Sequence, residues 1–69
     1  GEIRWIGAKA GVLAYAREAV AHVANLTDDQ ATVDVGEGWS LRHATEEGTR
    51  LLGPDLTISP RSGAILVRT

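Results

Sequence analysis

Cysteine, methionine and phenylalanine are absent from this 69-residue chain, and each absence narrows the possibilities. Without cysteine there is no disulfide framework and no thiolate zinc site. Without phenylalanine the aromatic surface reduces to Trp5, Tyr15 and Trp39, so the two tryptophans dominate it. A strong charge of either sign is missing as well: 9 acids stand against 7 bases, a formal charge of −2. Nucleic-acid binders carry a clustered basic patch. Here the basic residues are scattered from Arg4 to Arg68, so no nucleic acid is expected as a partner. No apolar run approaches the ~20 residues that span a bilayer, and no signal-peptide pattern is present. A cytoplasmic protein, or one of a particle assembled in the cytoplasm, is the expectation.

Length sets the next bound. Residues 1–69 make one domain, and a domain of about 60 residues buries only about 60% of its unfolded surface. Cores of this size rarely supply more than roughly 3–5 kcal/mol, and natural examples add disulfides, metals or oligomerisation. With no cysteine to contribute, assembly with other chains is the expected source of extra burial.

The patterning predicts an α+β fold in the order β-α-β-α-β-β. Glu2 to Ile6 alternates as a short strand with Ile3 and Trp5 on one face. Ala8 to Asn25 is alanine-rich, with Val12, Tyr15, Ala16, Ala19, Val20 and Val23 at helical spacing, and predicts a long amphipathic helix. Thr27 to Gln30 is a polar turn, Ala31 to Val35 a strand, and Gly36-Glu37-Gly38 a loop. Ser40 suits the N-cap of a second helix using Leu41, Ala44 and Leu51 or Leu52. Leu56-Thr57-Ile58 and Ala64 to Val67 flank a Pro60-containing turn and read as a terminal hairpin. The long helix is expected to lie on a small, mostly antiparallel sheet.

Candidate chemistry is sparse. His43, Glu46 and Glu47 resemble a fragment of a metal-ligand helix, but Gly48 stands where a second histidine would be needed. Glu46 and Glu47 are adjacent, and on a helix they diverge by about 100°, which suits no shared substrate. Ser40, Ser59 and Ser62 sit where cap or turn chemistry explains them. Gly36-Glu37-Gly38 places an acid where a phosphate would lie, without a P-loop lysine. Glu18 and His22, four apart, form at most a helix-surface pair. No enzyme activity, cofactor, metal or small-molecule substrate is expected. Trp39, between a glycine-rich loop and an N-cap, is the candidate contact residue, since tryptophan is enriched in interface hot spots.

Glu46-Glu47-Gly48-Thr49-Arg50 is the most distinctive segment, because glycine costs about 1 kcal/mol relative to alanine inside a helix. From Ala31 to Val67 the chain resembles the tail-completion, or neck, proteins of long-tailed bacteriophages. The resemblance rests on the ATVDV strand, the Glu47-Gly48-Thr49-Arg50 motif, Ile58-Ser59-Pro60-Arg61 and the final strand Ala64-Ile65-Leu66-Val67. It implies a non-enzymatic head-tail joining subunit of a virion that forms a homo-oligomeric ring. Its contacts would involve Glu47, Gly48, Thr49, Arg50 and Arg61, with Arg50 and Arg61 in inter-subunit ion pairs or on acidic partners. The alternative expectation is a small protein-binding module that docks through the Trp39 loop or a sheet edge.

Overall fold

The computed structural model describes residues 3–6 and 10–68. Eight strands occur in chain order: β1 (Ile3–Trp5), β2 (Val12–Arg17), β3 (Val20–Asn25), β4 (Ala31–Asp34), β5 (Trp39–Ala44), β6 (Arg50–Leu52), β7 (Asp55–Ile58) and β8 (Ser62–Arg68). A five-stranded antiparallel sheet, β1-β2-β3-β8-β5, faces a three-stranded one, β4-β7-β6. The α+β expectation is overturned: among the described residues there is no helix, and the chain is an all-β sandwich.

The long N-terminal helix is replaced by the β2–β3 hairpin, in which Val12 pairs with Asn25 and Arg17 with Val20. Alanine at 14, 16, 21 and 24 gives the stretch a helix-like composition, since alanine is the best helix former. What decides the structure is the period-two burial of Val12, Ala14 and Ala16, then of Ala21, Val23 and Asn25. That alternation matches the pleat of a strand. The two strands turn through Glu18 and Ala19, with Glu18 at φ 55°. Two-residue hairpin turns ordinarily announce themselves by Asn-Gly or Asp-Gly. Glu-Ala carries no such signal.

The second expected helix is likewise absent. Its residues form β5, a turn, and β6, which belong to different sheets. The expected terminal hairpin is corrected too: β7 pairs with β4 and β6, whereas β8 pairs with β3 and β5. Ser59, Pro60 and Arg61 carry the chain from one sheet to the other. The strands expected around Ile3 and Trp5, from Ala31, and near Leu56 and Ala64 are present.

The core lies between the sheets. Leu56 and Ile58 from the smaller sheet meet Leu66, Val23 and Ala21 from the larger, and all five are buried. Burying each large side chain contributes about 1.5–3 kcal/mol. Asn25 is the polar member, fully buried, and it fastens the sheets at one end. Its Nδ2 donates to the carbonyls of Asp29 (2.8 Å), Ile58 (3.2 Å) and Ser59 (3.2 Å). Its Oδ1 accepts from the Thr27 amide (3.0 Å) and hydroxyl (2.7 Å). A buried amide so fully satisfied incurs little desolvation cost.

Candidate functional site

Trp39 is buried at the start of β5 rather than displayed on a loop, with 7% exposure. The Arg68 guanidinium lies over its ring, 4.1 Å from the centroid, and Arg68 Nη2 donates to the Glu37 carbonyl at 3.1 Å. The cation–π contact and the cross-strand pairing of the two residues place Trp39 in the fabric of the sandwich.

Glu47, Gly48 and Thr49 form the turn between β5 and β6, and Arg50 opens β6 with its side chain exposed. Ser59 binds this turn: its Oγ donates to the Glu47 carbonyl at 2.7 Å, and its amide donates to Thr49 Oγ1 at 3.1 Å. The fold thus brings the Glu47–Thr49 turn beside the Ser59-Pro60-Arg61 corner. Gly48 has φ +90°, a region that L side chains rarely adopt, and an added Cβ would lie 3.2 Å from Ser59 Oγ. Arg61 pairs with Asp28, its neighbour across the corner, and both side chains are largely exposed. His43, Glu46 and Glu47 do not converge. Among the described residues no group of three or more metal-ligating side chains does.

A different set of residues comes together on the outer face of the five-stranded sheet. Cross-strand pairing aligns Trp5 with Tyr15, Tyr15 with His22, His22 with Ile65, and Ile65 with His43. The row crosses all five strands. Trp5 and Tyr15 meet edge to face with centroids 5.7 Å apart, and Tyr15 and His22 stack at 5.1 Å with an 18° interplanar angle. His43 joins the row because the register shifts between Leu41 and His43. In a regular strand positions 41 and 43 share a face. The irregularity at Arg42 sends Leu41 inward and His43 outward, which is the re-aiming effect of a β-bulge.

The rows to either side are also apolar. Ile3, Val20 and Val67 flank one side of the aromatic row, with Arg17 and Ser40 among them; Leu13, Ala24 and Gly63 flank the other. Trp5 is 68% exposed, Ile3 56% and Leu13 51%. None of the strand residues facing outward from this sheet is acidic. The described carboxylates lie on turns (Glu18, Asp28, Asp29, Glu37, Glu46, Glu47) or at the paired Asp34–Asp55 end of the smaller sheet. An acidic chain therefore keeps one apolar face whose charged and imidazole groups are Arg17, His22 and His43, with Arg42 at its bulge.

This face also carries a depression of about 390 Å³. Its floor is Ala24 and Gly63, and Tyr15, His22, Ile65 and His43 wall it, with Leu13 and Thr45 at its ends. Thr45 fastens the floor: its amide donates to the Gly63 carbonyl at 3.0 Å, and the Gly63 amide donates to Thr45 Oγ1 at 2.9 Å. The sequence signal for this face was the alternation of Leu13, Tyr15 and Arg17 against Ala14 and Ala16. Read at helical spacing, those residues scatter.

Comparison with protein-family models, curated proteins and solved structures finds no match. The long helix expected ahead of the stretch that resembles tail-completion proteins is a β-hairpin. The viral and head-tail roles of that resemblance find no support in an all-β sandwich, and what is described is the fold alone.

Proposed function

We propose that this chain is a non-enzymatic protein-docking module that binds another folded protein through the outer face of its five-stranded sheet. The carrying observation is the outward-facing, carboxylate-free row of exposed Trp5, His22 and His43 and half-buried Tyr15 and Ile65, bordered by Ile3, Leu13 and Val20. Contiguous apolar patches on a small protein mark interaction sites. The molecule measures 31 × 20 × 17 Å, so its broad face projects to somewhat less than the ~800 Å² per partner of a standard interface, in the range of a small docking contact. Covering that face also adds the burial that a core of this length lacks. The contact thus lies on the sheet face, and Trp39 supports it from inside the sandwich.

Site-specific photo-cross-linking tests the reading. Probes at Leu13, Val20 and Ile65 are expected to label one and the same protein, whose binding to the purified chain is then lost in Leu13→Glu. Probes at Thr32 and Thr57, on the smaller sheet, are expected to label nothing in common. Equal labelling from the two sheets, or binding untouched by Leu13→Glu, contradicts it.

A further inference from the structure

Gly63 is the second residue of β8, and a glycine within a strand weakens it and often marks a close approach by a ligand or another backbone. The backbone does not require it. Gly63 has no positive φ, and a Cβ built there would meet only the Val23 carbonyl oxygen at 3.5 Å, an ordinary contact. Its amide and carbonyl are already satisfied by Thr45. What the missing side chain does is keep the depression open between the Tyr15–His22 stack and His43. With Ala24 paired beside it, the floor falls below walls of full-sized rings and Ile65.

The surroundings specify the occupant. The walls are apolar and aromatic; the charged strand residues of this face are Arg17 and, at the bulge, Arg42, while Glu18 and Glu46 lie on the turns at its rim. No outward strand residue of this sheet is acidic, although the chain carries more acids than bases. Complementary potentials steer partners and reject wrong ones. A sheet face is covered by a helix or by a second sheet; a single concave depression suits a helix, which lays bulky anchors from its apolar side into such hollows.

We infer that the depression over Ala24 and Gly63 is an anchor pocket for one bulky apolar side chain, presented by an amphipathic helix of a partner whose flanks carry carboxylates. This rests on the docking reading and adds the partner's chemistry to it. The apolar anchor enters over Gly63 against Tyr15 and Ile65, while the flanking acids reach Arg17 and Arg42.

Two synthetic helical peptides test it, with the same leucine and tryptophan stripe but flanked by glutamates in one and lysines in the other. In NMR titrations the glutamate peptide is expected to move the amide resonances of His22, Ala24, Gly63 and Ile65. The lysine peptide should bind at least roughly tenfold more weakly. Gly63→Val is expected to leave the melting temperature unchanged or raised, and to weaken the glutamate peptide by at least about tenfold. If Gly63→Val unfolds, Gly63→Ala serves in its place, with a smaller loss expected. Equal binding by the folded glycine variant overturns the anchor pocket while the docking face stands. Equal or tighter binding of the lysine peptide, binding of neither peptide, self-association through this face in light scattering, or a preference for phosphatidylserine vesicles overturns the partner assigned here. Failure of the docking reading is distinct: Leu13→Glu would then leave the cross-linked protein bound.

Discussion

Tyr15 and His22, on neighbouring strands of one hairpin, stack with their ring centroids 5.1 Å apart, on the side of the sheet away from the core. Trp5 extends this stack at one end, and Ile65 and His43 continue it at the other. The sheet therefore has two apolar faces. One is spent on the sandwich core, and the other is open. Its stability and its proposed binding can be separated by substitution, because they reside on opposite sides of the same strands.

The two tryptophans should divide along that line. Trp39→Ala removes a buried ring and is expected to cost about 3–5 kcal/mol, as large aromatic truncations do. Trp5→Ala removes a ring that is 68% exposed and should cost well under about 1 kcal/mol of stability, as surface changes do. Docking should show the reverse order. Urea melts and the cross-linking yield from Leu13 check both halves.

Asn25 is expected to be the most sensitive polar position. Asn25→Leu leaves the carbonyls of Asp29, Ile58 and Ser59 without their shared donor and strips Thr27 of its acceptor. Unsatisfied buried groups cost about 1–3 kcal/mol each, so a loss of roughly 2–4 kcal/mol is expected after partial hydration of the exposed partners. In a domain of this size 1 kcal/mol corresponds to about 4–8 °C in Tm. A drop below about 4 °C in thermal denaturation would mean that the end of the sandwich does not depend on this amide.

Gly48→Ala should destabilise by about 1–2 kcal/mol, since its φ of +90° is costly for an L side chain and the new Cβ would crowd Ser59 Oγ. Arg50→Ala, at an exposed position on the same motif, should stay within about 0.5 kcal/mol. Chemical denaturation distinguishes the two. A motif that serves the turn predicts this contrast, whereas an assembly motif would show its losses in oligomeric state.

The corner ion pair is expected to contribute little. Arg61 and Asp28 are both largely exposed, and exposed pairs typically contribute about 0–1 kcal/mol. Asp28→Asn should therefore shift the urea midpoint slightly, and 0.5 M salt (about a 4 Å Debye length) should remove most of that difference.

Much of the smaller sheet and of β8 was legible in the sequence, because Ala31 to Val35 and Ala64 to Val67 alternate or run apolar in short, bounded stretches. The β2–β3 hairpin was not. Its alanines score as helix, its turn lacks glycine or asparagine, and its valines fit either period. The same misreading hid the candidate site: Leu13, Tyr15, His22 and Ala24 share a face only when strands pair, and His43 joins them only through an irregularity that no local pattern announces. Trp39 follows two glycines, Gly36 and Gly38, in the sequence. Those glycines serve the turn entering β5, and the side chain itself goes to the core.

The docking face is tested most directly by hydroxyl-radical footprinting of the chain in the cells that produce it, compared with the purified chain. Trp5, Leu13 and Tyr15 should be labelled in the purified chain and protected in the cell, as exclusion of water from an interface centre requires. Leu52, 68% exposed on the smaller sheet, should be labelled alike in both. Equal labelling of Trp5 and Leu13 in the two settings would mean that nothing covers this face, and the proposed function would fall.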